Sequence, residues 1–376
     1  MADADYTVSG RYDSFEFQTI DSIKSVTDTA DGKLNGVIGG TITWDDTTDL
    51  KVSGTLNVSD TPMLHNKFIR IYYVSRIPQM SSTGSFAYKT YKYLLATCYA
   101  DTEKGHYENG KYSGTISLQG TLSRYIDDEI ARNFTMDKGT NILSYIKKVF
   151  GWYGGQYKIS GIKGRKCEKT HVWEFGSAPF KVIAENAAFI GGVLTSQRDG
   201  VTLVSKYIEP AKRPVTFSFP TGANSVTLVG IDIASTQGSA INRAAVRYMK
   251  DEKYTDSKGK EKTRQVPIYG MANLDSSNIA SKAKTGRFIT YTETVSTMKP
   301  ETTAQANKIA KNRLNLYGGY TVQYTINCLF LPISIGQVCR FKYDKIDIDG
   351  VVLSIDYDLK PGCPMKVVLQ KLRNHK

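Results

Sequence analysis

The apolar residues of this 376-residue chain change their period twice, and those changes constrain the fold more than any single motif does. Through residue 118 the pattern is that of strands. Phe15 and Phe17 alternate, Val52, Leu56 and Val58 keep to one face, and β-branched residues recur in FIRIYYV (68–74). Asp31-Gly32 and Asn109-Gly110 supply dipeptides that accept positive φ, so each predicts a tight hairpin, the second returning in KYSGTISLQ (111–119). At Thr121 the spacing becomes three and four: Leu122, Tyr125, Ile126, Ile130 and Phe134 predict one helix. Gly139 ends that interval, and Thr140 is placed to cap a second helix through Ile142, Leu143, Ile146, Val149 and Phe150.

Residues 151–169 are glycine-rich and basic and read as a loop or irregular hairpin. A third helix is predicted from about Ser177, with Pro179 in its first turn and Gly191-Gly192 at its end. VLTSQRDGVTLVS (193–205) then predicts two short strands around Arg198-Asp199-Gly200. Strand patterning returns after Pro214 in VTFSF and SVTLVGIDI. The stretch KDEKYTDSKGKEKTRQ (250–265), without an aliphatic residue, predicts a long mobile hairpin tip over 250–264. One more helix is expected over 302–317: Thr302 and Gln305 match a capping box, Ala306, Ile309, Ala310, Leu314 and Tyr317 form a stripe, and Gly318 stops it. Strands close the chain. The expected class is therefore α+β, mainly β, with a first β domain over 1–118, a helix-containing segment over 119–213 and a second β-rich domain over 214–376.

Composition excludes several alternatives. Apolar content of 40% and charged content of 23% are those of a folded soluble protein, not a disordered chain. The longest apolar run, Ala187 to Leu194, falls far short of a membrane span, so stable membrane insertion is not expected. The opening MADADYTVSG lacks an apolar signal segment. Cysteines 98, 167, 328, 339 and 363 are odd in number and unpaired in spacing, which argues for a reducing compartment. No repeat of 20–50 residues is present, against propellers and solenoids.

Chemistry-bearing patterns are sparse. The closest cysteines, Cys328 and Cys339, and the isolated histidines 65, 106, 171 and 375 have no zinc-ligand spacing. Gly36, Gly39 and Gly40 lack the Lys-Ser/Thr of a phosphate loop, and no G-x-S-x-G is present. Asp45-Asp46 would point to opposite faces of a strand, and Asp127-Asp128-Glu129 fall on a helix's polar side. No catalytic residue, cofactor or metal is expected. YKTYKYLL (88–95) interleaves aromatics and lysines, which suits a stacking platform but suits a tyrosine-rich sheet better. Charge is unevenly placed: residues 1–150 hold 16 Lys+Arg against 18 Asp+Glu, whereas residues 151–376 hold 33 against 18. Lys163, Arg165, Lys166 and Lys169, with Lys258, Lys260 and Lys262 of the 250–264 tip, are the candidates for contact with an acidic partner surface.

The order of these pieces resembles the tail hub, or baseplate hub, proteins of tailed bacteriophages and contractile injection machines. The resemblance is carried by GTLSRYIDDEIARNFTMDKGTNILSYIKKVF (120–150), SAPFKVIAENAAFIGG (177–192) and LTSQRDGVTLVS (194–205), where a glycine-ended helix leads to a D-G turn and an apolar strand. ANKIAKNRLNLYGG (306–319), TVQYTINCLF (321–330), LPISIGQVCRF (331–341) and DGVVLSIDYDLKPGCPMKVVLQKL (349–372) extend it, to about two-thirds of the chain. The resemblance implies two tail-tube-like β-barrel domains per chain and a homotrimeric pseudo-sixfold ring. It implies a tail tube protein on one face, spike, fibre or other distal tail proteins on the other, and a lumen passing the tape measure protein and then DNA without sequence recognition. It implies a virion location, while the absent signal segment, disulfides and membrane span suit assembly in the host cytoplasm. Some hubs carry a wall-cleaving domain at the C-terminal end, and none is expected here, where the last strand is followed by no further domain. The competing expectations are a receptor- or glycan-binding tail tip protein and a polysaccharide-degrading enzyme.

Overall fold

The computed structural model describes residues 4–21, 32–60, 64, 67–80, 84, 86–235, 240–255, 257, 259–294 and 302–372. The chain divides into two compact units, one formed by Met1–Asp232 with Tyr324–Lys376 and the other by Ile233–Gln323. These limits differ from boundaries at 118 and 213, because the C-terminal strands join the same unit as the first ones.

The larger unit opens with β1 (Tyr12–Ile20), β2 (Gly32–Lys33), β3 (Val37–Asp45), β4 (Val52–Ser59), β5 (Phe68–Met80), β6 (Phe86–Glu108) and β7 (Lys111–Gly120). Alternation places one set of side chains inside: Ile69, Ile71, Tyr73 and Ile77 of β5 are buried, while Arg76 between them is exposed. β6 and β7 meet at Asn109-Gly110, whose φ values of 52° and 78° close the two-residue hairpin Glu108↔Lys111. Asp31, of the other turn dipeptide, lies outside the described residues.

A helical module follows, with its own core. It comprises α1 (Ser123–Ile126), β8 (Phe134–Met136), α2 (Ile142–Trp152), β9 (Tyr157–Ser160), β10 (His171–Trp173), α3 (Pro179–Phe189), β11 (Gly192–Ser196) and β12 (Thr202–Lys206). The helix predicted across Leu122–Phe134 is a single turn. Asp127, Asp128 and Glu129 would place three negative charges at its growing C-terminal end, against the helix dipole. Beyond them Ile130 exchanges backbone hydrogen bonds with Ser177 and Gly176 instead (2.9 and 3.0 Å), and Phe134 pairs with Trp173 on β10. Asn141, not Thr140, caps α2: its Oδ1 accepts from the Leu143 N–H at 3.0 Å. Ile142, Ile146, Val149 and Phe150 of α2 pack with Val182, Ile183 and Ala187 of α3 in one buried cluster. The glycine-rich stretch contributes β9, which pairs in parallel with β12.

The rest of the chain forms β13 (Phe217–Ser218), β14 (Thr227–Ser235), β15 (Arg243–Thr255), β16 (Glu261–Asn273), α4 (Lys282–Thr285), β17 (Thr290–Thr294), α5 (Thr303–Tyr317), β18 (Val322–Cys328), β19 (Val338–Tyr343), β20 (Ile346–Asp358) and β21 (Met365–Lys371). The main sheet runs β14-β18-β21-β20-β3-β4-β7-β6-β5-β1-β2, with β13 and β19 branching beside β20. Mainly β architecture is present, but the expected pair of barrels is not: among the described residues no sheet closes on itself. The reason lies in β20. Its C-terminal half pairs with β3 through Ile355↔Trp44 and Tyr357↔Ile42, four buried apolar residues. The last strands thereby continue the first sheet. No helix among the described residues is long and apolar enough to cross a membrane.

In the smaller unit α5 packs on a three-stranded sheet ordered β16-β15-β17, and α4 is a single turn in the same unit. Thr302 Oγ1 caps α5 by accepting from the Gln305 N–H (3.3 Å). Ala306 and Ala310 of α5 pack on Val246 and Tyr248 of β15. Gly270 permits that approach, since a Cβ there would lie 2.2 Å from the Ala306 carbonyl carbon. The segment predicted as a mobile tip forms ladder pairs down to Thr255↔Glu261.

Candidate functional site

The most constructed polar feature of the larger unit is the turn Gln197–Gly200, between β11 and β12. Gln197 N–H donates to Val201 O and Gly200 N–H to Gln197 O, both 2.9 Å, and Gly200 has φ +84°. The turn is plugged into the main sheet. Thr97 Oγ1 on β6 donates to Arg198 O, and Thr121 Oγ1 donates to Gly200 O, each at 2.8 Å. The Arg198 guanidinium reaches further, donating to Leu95 O (2.9 Å), Ile333 O (2.6 Å) and the Tyr357 hydroxyl (3.0 Å). Its carbon lies 4.8 Å from the Tyr93 ring centroid, 5.5 Å from Trp44 and 5.7 Å from Tyr357.

These acceptors are all neutral, so ring faces and oriented carbonyls hold the cation in place of a carboxylate. Trp44 Nε1–H shares the Leu95 carbonyl at 3.1 Å. One side chain from the helical module thus ties together strand β6, the segment after β18 and strand β20. A cavity of about 510 Å³ opens beside it, bordered by Trp44, Leu94, Lys158, Gln197, Leu203 and Ile335. Arg213 makes a second tie, donating to Gly336 O at 2.6 Å and to Ile208 O at 2.8 Å.

Among the described residues no three His, Cys, Asp or Glu side chains are grouped so that they could hold a metal ion. All five cysteines are buried. Burial pushes the thiols of Cys98, Cys328 and Cys339 up to about 12, which keeps them protonated and unreactive at neutral pH. Asp45 is tied into its own turn, accepting from the backbone and hydroxyl of Thr47 at 2.8 and 2.6 Å.

The basic residues singled out in the sequence fall in two groups. Lys163, Arg165 and Lys166 are exposed and Lys169 is half-buried, all on one segment laid against the start of α2. Backbone bonds pin that segment: Ile142 N–H to Arg165 O (3.0 Å), Cys167 N–H to Thr140 O (2.8 Å) and Gly139 N–H to Cys167 O (2.7 Å). Arg165 is ion-paired with Glu168. Lys260 and Lys262 are exposed on the β15–β16 hairpin, in the smaller unit, and Lys258 lies outside the described residues.

Two further surfaces are not marked by any sequence motif. In the larger unit Phe68, Tyr99 and Tyr153 surround a hollow of about 430 Å³ with Asp101 and Asp127 at its rim and Arg124 4.9 Å over the Phe68 ring. In the smaller unit Tyr269 and Met271 are 58% and 59% exposed on the sheet face opposite α5. The sequence does contain one signal for the second surface: Pro267, inside an otherwise regular strand, marks an edge.

No family model matches the chain, and no curated protein matches it. Solved structures do. A tail protein from Neisseria meningitidis MC58 superposes with a TM-score of 0.64 at 12% identity, covering 95% of this chain and 97% of that one. The 43 kDa tail protein of prophage MuSo2 from Shewanella oneidensis gives 0.62 at 12% identity over 95% and 98%. The fold is that of phage tail proteins. Prophage tail protein gp18 from Listeria monocytogenes EGD-e shares it with a TM-score of 0.53, at 12% identity over 96% and 95%. With identities this low, the shared property is the chain's path. The tail-protein fold here includes both compact units, since nearly the full length of each chain is matched.

Proposed function

We propose that this protein is a structural component of a phage-type tail, the hub that joins the tail tube to the distal tip. In this reading three copies close into a ring around a channel that passes the tape measure protein and then DNA. The ring meets the tail tube protein on one face and spike, fibre or other distal tail proteins on the other, assembles in the host cytoplasm and is carried in the virion. The chain performs no catalysis. The observation that carries the reading is the likeness to tail proteins over almost the whole of both chains. The charge distribution supports it. The smaller unit holds 15 Lys+Arg against 7 Asp+Glu, a net of +8 out of the chain's +13. A diffuse basic surface of that kind suits non-specific passage of a polyanion or contact with an acidic partner. Lys163, Arg165, Lys166, Lys169, Lys258, Lys260 and Lys262 are proposed to act in that way.

Light scattering on the purified chain tests the stoichiometry. Three copies of 41.8 kDa give about 125 kDa, and negative-stain averages should show a ring with a central hole. A long trimeric rod would instead indicate a fibre. One observation favours a second reading, a receptor- or glycan-binding tip. Tyr12 and Tyr88, 63% and 45% exposed, face each other at 5.4 Å on the main sheet, with Arg76 5.6 Å over the Tyr88 ring. Binding to host-cell envelopes that is lost in Tyr88→Ala would support that reading, and binding to no host surface would remove it.

A further inference from the structure

Three neighbouring strands and one helical turn build the hollow of about 430 Å³ in the larger unit. Phe68 of β5 is the ladder partner of Tyr99 on β6, and Tyr99 is in turn the partner of Gln119 on β7, so the three form a row across the sheet. The turn α1 supplies the facing side. Ser123 and Asp127, four positions apart, share one side of it with Arg124 between them. Tyr153, just after α2, and Asp101 of β6 complete the border.

The apolar walls are fixed in place. The Arg124 guanidinium lies 4.9 Å from the Phe68 ring centroid and donates to Tyr153 O at 3.3 Å. Tyr153 packs edge-on against Tyr125 at 5.0 Å and donates its hydroxyl proton to the Asp128 carboxylate.

The polar atoms, by contrast, are largely unspent. Ser123 is only 5% exposed, yet its hydroxyl has no hydrogen-bond partner among the described residues. The Gln119 amide and the Asp127 carboxylate have none among them either, and Asp101 accepts only from its neighbour Thr102, at 3.0 Å. Arg124 uses one of its nitrogens and forms no ion pair with Asp101 or Asp127, although all three border the same space. A nearly buried hydroxyl left unpaired carries a free-energy cost that a bound polar group recovers.

We propose that this hollow binds a neutral pyranose, as a free sugar or as one unit of a glycan. The inference goes beyond the hub reading, which needs no ligand, and uses none of the residues of the Tyr12–Tyr88 surface. Chemistry selects the class. An anion would face two carboxylates and a cation would face a guanidinium, so neither sign of charge is matched throughout. Each hydroxyl of a pyranose both donates and accepts. It can give protons to Asp101 and Asp127 and take them from Arg124, with Gln119 and Ser123 serving either way. The C–H face of the sugar is apolar, and the Tyr99 and Tyr153 rings offer it an apolar wall. The volume also lies within the range of about 300–1,000 Å³ usual for small-ligand sites.

Saturation-transfer NMR on the full chain tests the assignment. Glucose, galactose, mannose and N-acetylglucosamine are the neutral probes, with glucosamine, glucuronate and free lysine as charged ones. The expected result is transfer from aromatic protons to the ring C–H groups of at least one neutral sugar. Its affinity should fall about tenfold in Asp127→Ala and about threefold in Gln119→Ala, and stay unchanged in Tyr88→Ala. Circular dichroism on each variant confirms folding. Methyl glycosides separate the two sources, and both results keep the site: a tolerated methyl assigns a glycan unit, and a rejected one assigns a free sugar.

No transfer to any neutral probe overturns the proposal. A signal that survives unchanged in both Asp127→Ala and Gln119→Ala also overturns it, because the sugar then sits elsewhere on the chain. A preference of about tenfold or more for glucosamine, glucuronate or lysine over every neutral probe overturns it in favour of an ion site. The ring is read separately by light scattering, so failure here leaves the hub reading standing.

Discussion

Two hairpins in this chain look alike in sequence and have opposite fates. Gln197–Gly200 and the turn between Thr255 and Glu261 are both polar, charged and glycine-containing, and Gly200 and Gly259 both adopt positive φ, +84° and +74°. The first drives its arginine into the main sheet, where three acceptors and three aromatic rings receive it. The second keeps its charges in water and pairs them across its own ladder: Arg264 donates to Glu252 at 2.7 and 2.9 Å, and Lys253 lies 3.2 Å from Glu261. Local chemistry makes both turns. What each side chain is worth depends on whether its polar atoms have replaced water by protein partners.

Substitutions make that contrast measurable. Arg198→Ala should cost most, about 3–5 kcal/mol, because it removes the cation and strands the buried carbonyls it serves. The denaturant midpoint reports it, and a loss below about 1 kcal/mol would show that the turn is not the tie described. Gly270→Ala should come next, at about 1–3 kcal/mol, since the new methyl meets the α5 backbone. It should act on the smaller unit alone, which hydrogen exchange resolved by segment can check. Gly200→Ala and Gly259→Ala each carry a backbone cost of about 1 kcal/mol from positive φ. Equal thermal shifts for that pair would say that backbone strain, not burial, dominates at both turns. Arg264→Ala should be smallest, within about 0.5 kcal/mol, because its ion pair with Glu252 is solvated.

Acid sharpens the comparison further. The hydrogen bond from Arg313 holds the Glu293 carboxyl below its ordinary value of 4.5, with an Nη2–Oε1 distance of 2.8 Å. A depressed carboxylate contributes stability that is present above the ordinary value and lost as pH falls through the lowered one. Below pH 4.5 the anchorage of α5 on β17 should therefore weaken, and Glu293→Gln should flatten that part of the stability profile. The Arg198 tie, made to neutral acceptors, should show no such acid dependence.

Much of the architecture was legible in the residues. The Asn109-Gly110 hairpin, the Thr302 cap and the stripe of Ala306, Ala310 and Leu314 are local arrangements, and each is set by neighbours within a few positions. The candidate sites were much less legible. The lysine-rich segments drew attention as charge, whereas the patch at Tyr269 and Met271 exists only because α5 covers the other face of its sheet. The helix predicted through Phe134 failed for the same kind of reason: Ile130 and Phe134 have the right spacing, but Ser177 and Trp173, over forty and thirty-nine positions away, supply better partners.

By itself, then, the sequence determined the periods, turns and caps, because those depend on backbone geometry and adjacent side chains. Tertiary structure decided that β20 would join β3 in one open sheet, that Arg198 would be a tie and not a surface charge, and which face of its sheet α5 covers. Those outcomes depend on which buried surfaces fit together, as Ile355 with Trp44 and Tyr357 with Ile42 do across more than three hundred residues. Burial is a property of pairs of distant segments, and a pattern read along one segment contains only half of it.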